Sequence, residues 1–470
     1  MIVLKKLSQN KVIQNFSFMT LGNVISQVLS LITVLKITHF FAPDNYGLYT
    51  FITSQGLLLL SISDLGIQPI IVRSIARDKN CTRNLIVNSL ILRLLTITFL
   101  TFLYFTYNRF FGFLSTEEVF LVGLCALVYA VWTILEYAFL GNQKMFSVSI
   151  IKITYGILWF GIVWMLPKDS FSVYNLIFIF VGLNILQGIA LGVLLKIEGM
   201  IIGKKLSFYN STRQILTQSW PYFSVMLIMI PVQQFYNIYL ALNSNVEQIG
   251  FFNLAIKLLA PVQMVLTYAV LAAFPSLSTL WIKDKDKFLK LITNGFQYFL
   301  IIGMTMAFLF NLFIKEIVVL LFSDEYLPAV KVTQMQVWYT LLMSVNLTIS
   351  TVLGSVNKEK LIFKLAVING LISIPMLYYG SYYGAYGLSI AYVVSFAIME
   401  VIVWRSFTKL LNITIKKDML CWLIIIGLFL ISTFVISYIS WPIKVLISIL
   451  MLVIIGYYFM RNFNRDYQVE

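Results

Sequence analysis

The sequence predicts an all-α polytopic membrane protein, and three observations lead to this fold class. The chain has 470 residues, of which 60% are hydrophobic and 11% charged, and its mean hydropathy is +0.89. A soluble domain averages about 25% charged residues. Apolar segments alternate with short polar connections, and a bilayer core about 30 Å thick takes about 20 apolar residues per helix. The length therefore allows about 14 transmembrane helices and leaves no room for a large soluble domain.

The apolar segments divide the chain into four parts. Six segments come first, near 13–37, 47–70, 85–107, 119–140, 147–166 and 174–195. Six more follow a polar stretch, near 219–242, 249–275, 291–313, 332–355, 361–379 and 385–404, and the last two lie near 419–440 and 442–460. They predict an N-terminal six-helix lobe (1–195), a cytoplasmic linker (196–218), a C-terminal six-helix lobe (219–407) and two additional transmembrane helices (408–470).

The distribution of Lys and Arg predicts the orientation, because basic loops stay on the cytoplasmic side. With fourteen spans and both termini cytoplasmic, most of the 34 Lys and Arg residues fall in inner loops, and Arg93 and Lys257 fall within spans. The outer loops hold only Lys36, Arg109, Lys168, Lys315, Lys331 and Lys444. One span more or fewer would reverse every later loop and destroy this asymmetry.

Two pairs of similar strings predict an internal repeat. Residues 45–49 (Asn-Tyr-Gly-Leu-Tyr) and 248–252 (Gln-Ile-Gly-Phe-Phe) each lie at the outer start of the second span of a six-span group. Residues 140–144 and 353–358 each follow the fourth span. Because both pairs keep the same membrane side, the repeat is parallel, with its axis along the membrane normal. It predicts two lobes around a central cavity and alternating access by rocking one lobe against the other.

Composition argues against several other chemistries. The cysteines Cys81, Cys125 and Cys421 show neither disulfide nor metal spacing, and the single His39 leaves no histidine-based site. No Walker A string occurs, so ATP hydrolysis is not expected. The net charge of +15 lies in short runs between apolar segments, which membrane topology explains better than nucleic acid. We therefore expect no catalytic residues, metal site, cofactor or nucleic-acid partner.

Polar groups inside the spans are the candidate functional residues, since ionisable side chains in a bilayer usually face a cavity or a partner. Lys257 and Arg93 are candidate cavity cations, with snorkelling to a membrane surface as the alternative. Asp64 lies near the inner end of its span, where it could pair with a basic group and hold a gate, or act as a coupling carboxylate. Glu136 is a second gate or coupling carboxylate, with a structural role at a helix interface as its alternative.

Uncharged polar residues form two stripes at helical spacing. They are Asn23, Gln27 and Ser30 in the first span and Gln233, Gln234 and Asn237 in the seventh. The second stripe follows Pro231, which should kink its helix and free backbone groups for a water-filled lumen. The two stripes predict opposing faces of one cavity, and hydrogen bonding between helices is the alternative. Amides with a few cations suit a glycan that carries phosphate.

Four short strings, in order along the chain, resemble signatures of the bacterial polysaccharide transporter family, which contains the O-antigen and capsule repeat-unit flippases. They are residues 41–49 (Phe-Ala-Pro-Asp-Asn-Tyr-Gly-Leu-Tyr), 63–67 (Ser-Asp-Leu-Gly-Ile) with Arg73 beyond, 250–258 and 320–326. This resemblance implies membership of the multidrug, oligosaccharidyl-lipid and polysaccharide exporter superfamily. It also implies a location in the bacterial cytoplasmic (inner) membrane.

The resemblance further implies a flippase that moves undecaprenyl-diphosphate-linked oligosaccharide repeat units from the inner to the outer leaflet. The family's cavity is typically cationic, and Lys257, Arg93 and Lys36 match that pattern. The implied partners are the lipid-linked substrate, membrane lipids, and the polysaccharide polymerase with its chain-length machinery. An H⁺ or Na⁺ gradient, or consumption of the flipped glycan, would supply energy.

Three alternatives stay open at this point. A multidrug or cation antiporter and a peptidoglycan-precursor flippase belong to the same superfamily. A polysaccharide polymerase acts on the same lipid-linked glycans, but such enzymes generally carry a large outer loop. The longest predicted outer connection here, near 314–331, is short and partly apolar.

Overall fold

The structure, a computed structural model, describes residues 11–112, 114–200, 208–356, 358–411 and 440–453. These residues form helices and no strand. In chain order the helices are α1 (Lys11–Phe40), α2 (Pro43–Ser63), α3 (Gln68–Arg77), α4 (Thr82–Phe111), α5 (Thr116–Gly141), α6 (Met145–Met165), α7 (Val173–Ile197), α8 (Phe208–Gln233), α9 (Tyr236–Asn243), α10 (Val246–Lys283), α11 (Lys285–Leu321), α12 (Ala329–Ser355), α13 (Glu359–Ser381), α14 (Gly384–Leu411) and α15 (Trp441–Val453). Short 3-10 turns lie at Lys79–Cys81, Lys168–Ser170 and Asp324–Tyr326.

The predicted fold class is confirmed. Among the described residues, 11 helices are long and apolar enough to cross a membrane, and the bent pair α2 and α3 raises the number to 12. Each corresponds to one of the first twelve predicted segments. The segment near 419–440 falls almost wholly outside the described residues, and α15 covers part of the segment near 442–460.

The second predicted span, 47–70, was wrong as a single helix. Helix α2 ends at Ser63, and α3 continues at an angle of 55° after a four-residue break. Leu65 and Gly66 have φ values of 49° and 68°, the left-handed conformation that ends helices. Hydropathy alone did not distinguish the break, because apolar residues continue on both sides of it, through Ile71.

The chain divides into two compact units. The first comprises the described residues of Met1–Asn253 and Leu377–Leu388, and the second those of Leu254–Met376 and Ser389–Glu470. In the first unit α5 packs against α2, α4 and α7, and α1 packs against α6. The second unit has its own apolar cluster, in which Phe288, Ile349 and Trp404 are buried. The division into lobes at 1–195 and 219–407 stays a prediction.

Candidate functional site

Helix α2 and the first eight residues of α10 (Val246–Asn253), all in the first unit, begin side by side at the end that the Lys and Arg distribution predicts to be outer. The repeat-related residues Gly47 and Gly250 lie at the contact. A Cβ atom on Gly47 would lie 2.1 Å from the carbonyl oxygen of Val246, and one on Gly250 would lie 2.3 Å from the carbonyl oxygen of Pro43. The contact is reciprocal. Each glycine lets the backbone of the other helix approach where any side chain would exclude it.

Hydrogen bonds continue this contact along the same face of α2. The Asn237 amide donates to the Ser54 hydroxyl at 2.6 Å, and the Asn253 amide donates to the Asn237 side-chain oxygen at 2.8 Å. Further along, the Gln234 amide donates to the Ser61 hydroxyl at 3.0 Å. All of these groups belong to the first unit.

The contacting residues of α2 are spaced by two helical turns, which places them on one stripe. We call the whole row of contacts the seam. It consists of Gly47, Ser54 and Ser61 of α2, with Gln234 of α8, Asn237 of α9, and Gly250 and Asn253 of α10.

The connection between α13 and α14 closes over the predicted outer end of the seam. The Gln248 side-chain oxygen accepts the backbone N–H of Ala385 at 2.9 Å. The Asn243 amide donates to the Ser381 hydroxyl at 2.8 Å and to the Tyr378 carbonyl at 3.3 Å. These side chains therefore tie both ends of the α9–α10 turn to this connection.

At the opposite, predicted inner end of α2, Asp64 forms a buried ion pair with Arg93 of α4. The Tyr137 hydroxyl donates to the same carboxylate oxygen at 3.1 Å, and Arg93 also donates to the Thr133 hydroxyl at 2.7 Å. Neutral donors and acceptors thus surround the pair, which lowers the cost of keeping two charges out of water. The pair fixes the break between α2 and α3 against α4 and α5.

A second ion pair joins α5 to α6. The Lys152 ammonium lies 2.7 Å from a carboxylate oxygen of Glu136 and 5.9 Å from the centroid of the Trp132 ring. Glu136 is buried and Lys152 is partly exposed. The sequence analysis had named only the carboxylate of this pair.

The remaining predicted residues are distributed over both units. The Lys36 ammonium lies over the rings of Phe40 and Trp164, at 4.9 and 5.4 Å from their centroids. Asn23 and Gln27 are partly exposed on α1, and Gln233 is exposed at the end of α8. Lys257 is partly buried on α10, in the second unit. Among the described residues, no group of three or more His, Cys, Asp or Glu side chains could hold a metal ion.

Some predicted residues meet and others do not. Gln234 and Asn237 both donate hydrogen bonds to serine hydroxyls of α2, and Asp64 forms an ion pair with Arg93. Sequence reasoning missed Ser54, Ser61 and Asn253. The signal that could have found the two serines is their spacing from Gly47, since the three positions recur at every second turn of one helix.

The hydrogen bonds of the seam are individually weak. A hydrogen bond between membrane helices contributes about 0.6 kcal/mol on average, so the three bonds above sum to about 2 kcal/mol. Close packing at the two glycines adds dispersion energy of the kind that holds small-residue helix contacts together in membranes.

Solved structures of membrane transporters share this fold. One described as "Lipid II flippase MurJ, inward closed conformation" aligns with a TM-score of 0.74 at 17% identity, over 95% of this chain and 99% of that chain. An inward-facing multidrug resistance MATE family transporter of the MOP superfamily aligns with a TM-score of 0.62 at 14% identity, over 84% and 96%. A MOP superfamily transporter from Pyrococcus furiosus aligns with a TM-score of 0.56 at 13% identity, over 85% and 95%. Curated protein sequences give no match.

The chain therefore shares the fold of these MOP-superfamily transporter structures. The family described as "Polysaccharide biosynthesis protein" matches residues 12–281, more than half of the chain. The chain belongs to this family.

Proposed function

We propose that the protein is a flippase for undecaprenyl-diphosphate-linked oligosaccharide repeat units, such as those of O-antigen or capsule, and that it works by alternating access. The observation that carries the mechanism is the seam, a row of breakable contacts along α2 that ends in the reciprocal Gly47–Gly250 contact. The choice of substrate is supported by the family, whose description is polysaccharide biosynthesis. A lipid-linked substrate is also what the similar MurJ structure is named for.

In this mechanism the closed seam is the outer gate. With the gate closed, the head group enters the predicted chamber from the cytoplasm while its polyprenyl chain stays in lipid. Opening the seam and closing the inner side then expose the head group to the outer leaflet. A buried hydroxyl or phosphate without hydrogen bonds costs several kcal/mol, so a polar chamber removes most of the barrier that bare hydrocarbon would impose.

The cations have distinct roles in this proposal. Lys257 and Lys36 face the diphosphate, for which an ammonium group is a suitable point charge. Arg93 is already paired with Asp64, so this pair serves the inner gate and releases its arginine to the substrate when the gate opens. Asn23, Gln27 and Gln233 exchange hydrogen bonds with sugar hydroxyls.

The driving force is an ion gradient, H⁺ or Na⁺, or consumption of the flipped glycan by the polymerase. Asp64 and Glu136 are the candidate coupling groups, because each forms an ion pair with a neighbouring helix, to Arg93 of α4 and to Lys152 of α6. A pH gradient imposed on vesicles that contain the protein would test this assignment. Transport that ignores both H⁺ and Na⁺ gradients would leave glycan consumption as the driving force.

The test is the lipid-linked glycan profile of a deletion strain. Loss of surface polysaccharide with accumulation of intact repeat units on the inner leaflet is the expected result, and the wild-type chain should restore export. Lys257→Ala should restore it poorly at normal membrane abundance, and Lys360→Ala, which removes an exposed charge elsewhere, should restore it fully.

Other outcomes would replace the proposal. Unchanged glycans would redirect the work to drug or cation efflux. Accumulated lipid II with cell lysis would indicate a peptidoglycan-precursor flippase. Single repeat units on the outer leaflet that are not polymerised would indicate a polymerase.

A further inference from the structure

A cleft of about 340 Å³ lies at the predicted cytoplasmic end of the first unit, between α3, the Lys79–Cys81 turn, the start of α4, and α8. Its polar lining includes Arg73, Arg77, Asp78, Cys81, Asn84 and Gln218. The volume falls at the lower end of the range of about 300–1,000 Å³ typical of small-molecule sites. None of its lining residues belongs to the seam or to the Asp64–Arg93 and Glu136–Lys152 ion pairs.

The helix break explains why arginines line this cleft. After the turn at Leu65 and Gly66, α3 buries Ile71 and Ile75 in the apolar cluster of the first unit. Arg73 and Arg77 are four residues apart, so they share the opposite, exposed face. An amphipathic helix of this kind lies at the boundary between lipid and water.

The charges in the cleft are unbalanced. Among the described residues, neither Arg73 nor Arg77 forms an ion pair. The Arg73 guanidinium donates a long hydrogen bond of 3.5 Å to the Gln218 side-chain oxygen. This contact orients the guanidinium but does not neutralise its charge. The single carboxylate, Asp78, accepts the backbone N–H of Asn80 at 2.9 Å and caps the following turn. The cleft therefore offers two guanidinium groups to an anion.

We propose that this cleft binds a phosphate group carried by a lipid of the cytoplasmic leaflet. Guanidinium groups match phosphate through paired hydrogen bonds, and basic pockets at the cytoplasmic membrane surface suit phosphorylated head groups. The phosphate has two natural sources, an anionic phospholipid and a polyprenyl diphosphate. The site holds for either source, so it does not depend on which substrate the protein flips.

Cys81 lines the cleft and can report on its occupancy. The full chain, with Cys125 and Cys421 replaced by Ser, would be purified into nanodiscs of phosphatidylcholine and labelled with a maleimide. Phosphatidylglycerol or undecaprenyl diphosphate would be added to the bilayer, and inorganic diphosphate to the buffer in a third arm. We expect at least one of the two lipids to slow the labelling of Cys81 in a saturable way.

Matched variants separate recognition from general charge. Arg73→Ala and Arg77→Ala should each lower the affinity for the protecting lipid about tenfold or more, since a hydrogen bond to a charged group contributes about 1.5–3 kcal/mol. Arg83→Ala removes the same charge from an exposed position that does not line the cleft, and it should bind like the unaltered protein. Thermal unfolding of each variant would verify that it folds.

The arms then decide the proposal. Protection by phosphatidylglycerol assigns the site to a leaflet phospholipid, and protection by undecaprenyl diphosphate alone assigns it to the polyprenyl carrier. Protection by inorganic diphosphate with none from either lipid would overturn the lipid-borne source. The proposed site would be overturned if Arg83→Ala lost as much lipid affinity as the cleft variants. It would also be overturned if the lipid still protected Cys81 in both Arg73→Ala and Arg77→Ala.

Discussion

The Gly47→Ala substitution acts on the seam at its tightest point. The added methyl carbon would meet the Val246 carbonyl oxygen at 2.1 Å, whereas real Cβ atoms essentially never approach closer than 3.0 Å. The obstacle is backbone, so the starts of α2 and α10 must move apart by about 1 Å. Overpacking of this kind costs about 1–3 kcal/mol. The ratio of closed to open seam should therefore fall about 5- to 150-fold.

Accessibility of Ile249 measures this shift. The side chain is fully buried beside Gly250, so a cysteine placed there in a cysteine-free chain reacts with an impermeant maleimide only when the seam opens. Adding Gly47→Ala should raise the labelling rate from outside about fivefold or more. The matched control is Gly161→Ala, where a Cβ would meet nothing within 4 Å.

Two results would refute this reasoning. The first is a labelling rate in Gly47→Ala equal to that in Gly161→Ala. The second is a double variant, Gly47→Ala/Gly250→Ala, in which the free-energy effects of the two single variants on seam opening add in full. We expect less than the sum, because one separation of the helices should relieve both clashes.

Three further predictions concern the seam, the inner ion pair and a helix cap. Asn237→Ala removes two hydrogen bonds of the seam and should raise labelling in the same assay by up to about tenfold. Asp64→Leu and Arg93→Met should each lower the Tm in detergent more than the double variant does, since breaking a buried pair costs about 3–5 kcal/mol; a double variant that melts lowest would contradict this. The Asp284 carboxylate caps the start of α11 by accepting the backbone N–H of Lys287, and this hydrogen bond lowers the pKa of Asp284. The cap should therefore be fully formed above the ordinary carboxyl pKa and be lost only as pH falls through the lowered pKa. Faster hydrogen exchange at Lys287 in acid would verify it, and an exchange profile identical to that of Asp284→Ala would contradict it.

Hydropathy predicted most of the fold because each span must satisfy its own backbone in lipid, which makes long apolar runs informative. The internal repeat stays a prediction, although Gly47 and Gly250 are each the fifth residue of their helix, α2 and α10. The break after Ser63 was missed because it depends on left-handed φ values at Leu65 and Gly66. No hydropathy average records them.

The candidate site was predicted only in part. Polar stripes identified Gln234 and Asn237, but their partners Ser54 and Ser61 depend on how the helices are rotated, which a single sequence does not contain. Asp64 and Arg93 lie on different helices, so their pairing follows from packing rather than from spacing.

The most direct test of the central claim is translocation in liposomes. Undecaprenyl-diphosphate oligosaccharide with a labelled sugar would be placed in one leaflet, and its appearance in the other followed with an impermeant quencher. The account predicts translocation by the wild-type chain, slowing of about fivefold or more in Gly47→Ala, and a wild-type rate in Gly161→Ala. Translocation no faster than in protein-free liposomes, or one that is indifferent to Gly47→Ala, would contradict it.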